Sequence, residues 1–197
     1  MESLEIKAFG FEPDAPRNVF HLALPRLEAF PTHLPMLSPK FTLFLACDSR
    51  NIPLNALDTF AKMALAQGAV YVCTWGPDCE RVHDIFDEAI VGRLFDGGEA
   101  ADPHSTITTT WHHGETLEEA LDFFLTAAAP GDDYAAGCGA ALVISVDDQE
   151  RAGRIDNFLS SQVPPAARTY IYSGSSDGIM WMRDDSDEPL EEFTEYT

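Results

Sequence analysis

Four times between residues 41 and 159, a short apolar run rich in β-favouring residues gives way to a segment whose apolar positions recur at helical spacing. Parallel neighbouring strands require crossover connections, and helices are the usual crossover, so this alternation restricts the chain to a narrow set of architectures. It predicts an α/β domain of the three-layer, Rossmann-like or flavodoxin-like kind. The sheet is then mostly parallel with helices on both faces, and a hairpin or edge strands follow at the C-terminal end.

Residues 69–95 give the sharpest of the four units. Val70, Tyr71, Val72 and Cys73 read as a strand covered on both faces, and Gly76 allows a tight turn. Pro77 suits a first helical position, and Val82, Ile85, Phe86, Ala89, Ile90 and Leu94 define one helix face. This reading puts Asp78 and Cys79 in the first turn, where free N–H groups favour an anion or a thiolate, with His83 on the same side.

The other units follow the same logic. Residues 41–47 form a strand ending at Asp48, and the next helix carries Leu54, Leu57, Phe60, Ala61, Ala64 and Leu65 before Gly68. Residues 105–111 read as a half-exposed or edge strand, with Thr116 and Glu119 as a capping box for a helix through Ala128. Residues 140–146 form the most apolar strand, and Asp147 with Glu150 offers a second cap. RTYIYS and GIMWM flank SGSSDG as a hairpin or pair of edge strands. Residues 1–40 read as an irregular segment punctuated by prolines, although 4–9 carries a loose strand-like alternation and 18–24 fits either a strand or a short helix. The expected organisation is one α/β domain over 1–183 and an acidic tail over 184–197.

The chain has 33 acidic residues against 12 basic ones, a net charge of −21, and seven of the acids lie in 184–197. Such a field disfavours nucleic acid and anionic membrane as partners and favours a basic protein or a cation. No apolar run is long enough for a membrane span and the N-terminus has no secretory pattern, which implies a cytoplasmic protein with Cys47, Cys73, Cys79 and Cys138 reduced.

In an open parallel sheet, ligands bind outside the carboxyl ends of the strands. The candidate ligand-binding residues gathered there are Asp48, Trp75, Asp78, Cys79, His83, His112 and Asp147. A metal reading would draw on Asp48, Cys79, His83, one of His112 and His113, and Asp147, but no recognised metal-site spacing is present. A thiol reading would make Cys79 a nucleophile with His83 or His112 as base. Trp-Gly-Pro-Asp-Cys resembles the thioredoxin motif but lacks its second cysteine. Phosphate-loop, dinucleotide and nucleophile-elbow glycine patterns are absent, so no cofactor is specified.

The segment WGPDCERVHDIFDE resembles one shared by uncharacterised bacterial proteins grouped as a domain of unknown function. That resemblance implies a bacterial, cytoplasmic protein and transfers no activity. The residues favour a small acidic binding protein for a basic protein partner, of antitoxin, immunity or adaptor type. The competing expectation is a metal-assisted or thiol-dependent hydrolase or transferase at the strand carboxyl ends.

Overall fold

The computed structural model describes residues 4–11, 17–34, 38–95, 106–163, 168–172 and 179–183. The acidic tail, the 96–104 loop and the SGSSDG turn lie outside the described residues. Among the described residues there are eight strands, β1 (Leu4–Phe11), β2 (Asn18–Leu24), β3 (Lys40–Ala46), β4 (Ala69–Trp75), β5 (Thr108–His112), β6 (Cys138–Val146), β7 (Arg168–Tyr172) and β8 (Ile179–Arg183). The helices are α1 (Leu54–Ala66), α2 (Cys79–Phe95), α3 (Leu117–Thr126), the short α4 (Asp132–Ala135) and α5 (Gln149–Gln162).

The strands form one sheet in the order β5-β4-β3-β6-β2-β1-β7-β8. From β5 to β2 every neighbouring pair is parallel, while β1, β7 and β8 are joined by antiparallel pairing. The segment expected to be irregular thus supplies two strands, and β2 lies between β6 and β1 inside the sheet. β7 and β8 are the expected antiparallel pair, and β5 is the expected edge strand with mostly half-buried side chains.

Alternation along the central strands divides the core in two. Leu43, Leu45, Leu142 and Ile144 join α1 and α2 in one apolar cluster. Phe44, Ala46, Ala141 and Val143 join α3 and α5 in the other. Thr116 and Glu119 make the reciprocal capping box ahead of α3.

Two local readings are corrected by the backbone. Pro77 and Asp78 precede α2, which begins at Cys79, because Asp78 adopts a left-handed conformation with φ 61° that a helix does not accept. The cap of α5 is Asp148, whose carboxylate accepts from the Arg151 amide, while Asp147 stands one residue earlier at φ 52°.

Candidate functional site

The connections through α1 and α2 carry the chain outward from β3 to β5. It then returns past β4 and β3 to place β6 beside β3. The carboxyl ends of β2, β6 and β3 therefore lie side by side where strand order reverses, a position that favours a crevice. A cleft of about 420 Å³ opens there, lined among others by Arg26, Glu28, Asp48, Asp147, Asp148 and Arg151. A second cavity of about 720 Å³ adjoins it across Pro25, Asp147 and Asp148 and extends over β1, β2 and α5.

Arg151 organises the cleft. Its guanidinium donates to the carbonyls of Val146 at 3.1 Å and Ala46 at 3.4 Å, tying the ends of β6 and β3 together, and it pairs with Asp148 at 3.1 Å. It also lies 5.9 Å from the centre of the Trp75 ring. Asp48 is held by two hydrogen bonds from the Arg50 side chain, which keep its carboxyl below the ordinary range. Asp147 differs from both. Its amide donates to the Leu24 carbonyl at 2.8 Å, but its exposed carboxylate has no hydrogen bond or ion pair among the described residues.

Of the seven candidate residues, Asp48 and Asp147 line this cleft and Trp75 borders it through Arg151. Trp75 is otherwise committed, donating from Nε1 to the Glu115 carbonyl at 3.0 Å. The carbonyl of Asp78 accepts from the Ser49 hydroxyl at 2.7 Å. Cys79 is 1% exposed, and burial raises its thiol, the reverse of the activation expected from a helix start. Cys47 and Cys73 are likewise pushed up to about 12 by burial.

The two candidate histidines part company because adjacent strand residues face opposite ways. Trp111 turns to α2, where its ring lies 4.4 Å from that of His83, and His83 sits 3.4 Å from Asp87. His112 turns to α3, packed on Phe123 with ring centres 4.8 Å apart and bonded to Glu115 at 3.0 Å. Among the described residues, no three His, Cys, Asp or Glu side chains gather to hold a metal ion.

The larger cavity holds a polar network that the residue patterns did not single out. His21 Nδ1 lies 2.6 Å from Asp156 Oδ1, and His21 Nε2 lies 2.9 Å from Ser145 Oγ. Lys7 donates to the other oxygen of Asp156 at 2.5 Å. Burial raises the Asp156 carboxyl, but hydrogen bonds from His21 and Lys7 outweigh it and hold the group below its ordinary value of 3.8. The only hint in the sequence was a polar residue interrupting each apolar strand, His21 in NVFHLAL and Ser145 in AALVISV.

The depressed Asp156 fixes a sign for pH dependence. A carboxyl whose folded value lies below its unfolded one adds stability that is complete above the unfolded value and lost as pH falls through the folded one. The stability advantage of the wild type over Asp156→Asn is therefore expected to hold steady at about pH 5 and above and to shrink below pH 3.8. Urea unfolding of both proteins down to about pH 2 checks this, and a constant gap throughout would refute it.

An α/β domain with a cleft at the carboxyl ends of its central parallel strands is thus the class the fold and site define. The chain belongs to the family described as Domain of unknown function (DUF7684), whose model matches residues 19–162. That span begins in β2 and closes with α5, so it takes in the five parallel strands and the cleft. No curated protein matches the chain.

Proposed function

We propose that this chain is a small acidic α/β binding protein whose cleft receives a basic group of a protein partner. The reading rests chiefly on Asp147. Its carboxylate is exposed where the two cavities meet, and its backbone sits in a left-handed conformation that a residue with a β-carbon seldom adopts. Strain of this kind persists where the surroundings impose it and clusters at binding sites. The neighbouring Asp48 and Asp148 are satisfied by arginines, and Asp147 remains available for a cation.

The net charge of −21 supports a basic protein over nucleic acid or an anionic membrane. Helix-bearing clusters on alternate strand residues support the finer reading of a Rossmann-like or flavodoxin-like three-layer domain, in which ligands sit at the reversal of strand order. Antitoxin, immunity and adaptor roles in a bacterial cytoplasm all fit such a protein.

Calorimetric titration with an arginine- and lysine-rich peptide tests the reading, with a glutamate-rich peptide of the same length as control. The basic peptide is expected to bind with an affinity that falls as salt rises, and Asp147→Asn should weaken it roughly five-fold, the effect of losing one partly exposed ion pair. No affinity for the basic peptide, or an affinity that Asp147→Asn leaves intact, would overturn it.

A further inference from the structure

We propose that Ser145, His21 and Asp156 form a nucleophilic acyl-transfer site that opens on the 720 Å³ cavity between β1, β2 and α5. This goes beyond the binding reading and does not depend on it. The three residues come from β6, β2 and α5, and only the parallel pairing of β2 with β6 brings them together. His21 and Ser145 follow Val19 and Val143 by two positions, so their side chains point to the sheet face covered by α5, where Asp156 stands beside Ile155.

The chemistry of the partners orders the protons of a neutral His21 imidazole. Asp156 stays ionised, and an ionised carboxylate only accepts, so the proton on Nδ1 of His21 points to Asp156. Nε2 then carries the lone pair and accepts from the Ser145 hydroxyl at 2.9 Å. Nucleophile bonded to base, and base bonded to an orienting carboxylate, is the arrangement that activates serine in hydrolases of unrelated folds. Lys7, 42% exposed at its side chain, anchors the carboxylate from the opposite side.

His21 and Ser145 are each 2% exposed, yet both line the cavity, as does Asp156 at 22% side-chain exposure. A network serving only to satisfy buried polar groups has no need of an open space against its serine.

The reaction is the hydrolysis of a small carboxylic ester. Ser145 Oγ attacks the carbonyl carbon while its proton passes to His21 Nε2. Collapse of the tetrahedral intermediate breaks the ester C–O bond, and the alcohol leaves with that proton. Water, deprotonated by the same nitrogen, then releases the acid and restores the serine. Glu5, Asp147 and Asp148 on the cavity wall disfavour anionic substrates, so the ester is neutral or cationic.

The test is labelling with an alkyl fluorophosphonate, read by intact and peptide mass, together with hydrolysis of p-nitrophenyl acetate. One adduct on Ser145 is expected, absent in Ser145→Ala and retained in Ser161→Ala, which changes an exposed serine of α5. His21→Gln should slow labelling by roughly 100-fold or more. As a positioning residue, Asp156 should act on turnover, so Asp156→Asn lowers kcat for the ester about ten-fold or more with KM within about two-fold. Circular dichroism checks each variant, and if His21→Gln fails to fold, the partly exposed Asp156 variant carries the test. A wild type that takes no label, an adduct on another residue, or labelling indifferent to the folded variants would overturn the proposal and leave the binding reading standing.

Discussion

Replacing Gly76 with alanine is expected to destabilise the protein by roughly 3 kcal/mol or more, lowering its urea midpoint by about 1 to 2 M. Two independent causes act together. Gly76 has φ 117°, outside the range L-residues favour, and an added Cβ would lie 2.1 Å from the Cys47 carbonyl oxygen and 3.1 Å from its carbon. Those are backbone atoms, so no side-chain rotation relieves the overlap.

The surrounding hydrogen bonds resist a shift as well. The Cys47 amide donates to the Trp75 carbonyl, and the Ser49 amide donates to the Pro77 carbonyl, each at 3.1 Å. The ends of β3 and β4 are thereby stitched around Gly76, and moving Cys47 away would disturb Asp48 at the cleft. Equilibrium unfolding in urea measures the effect. A loss under about 1 kcal/mol would mean that the 47–51 segment yields freely.

Phe60→Ala should cost a similar amount, about 3 to 5 kcal/mol, for a different reason. Phe60 is 2% exposed on α1 and stands between two rings, with its centroid 4.9 Å from that of Phe30 and 6.1 Å from that of Phe86, both edge-on. Truncation removes a buried ring and two favourable ring contacts. It leaves a cavity walled by α1, α2 and the segment after β2, which backbone hydrogen bonding keeps from closing. The same unfolding measurement applies, and recovery of most of the loss in Phe60→Leu would confirm that volume is the cause.

These two positions mark the limit of what periodicity reveals. Phe60 was visible as a core residue because helical spacing places it with Leu57, Ala61 and Ala64. Gly76 was visible as a turn, but its contact with Cys47 was not, since that proximity depends on β3 and β4 being neighbours. The candidate site divides in the same way. Asp48 and Asp147 were legible because each directly follows an apolar strand, and the ends of β3 and β6 meet in one cleft. Cys79, His83 and His112 were grouped with them by residue type. The sheet assigns His83 and His112 to opposite faces beside β5, and packing buries the thiol.

The sequence by itself determined the strand–helix alternation from β3 to α5, the capping box at Thr116, the hairpin-like end and the acidic charge. Each depends on residues a few positions apart, and short-range sterics, capping and hydrophobic spacing act over that distance. Tertiary structure alone decided that β2 enters the sheet beside β6 and that the strand order reverses at β3 and β6. It alone set His21 against Ser145 and Asp156, 124 and 135 residues away along the chain. Strand order is settled by which apolar faces pack together across the whole domain, and no local pattern encodes that choice.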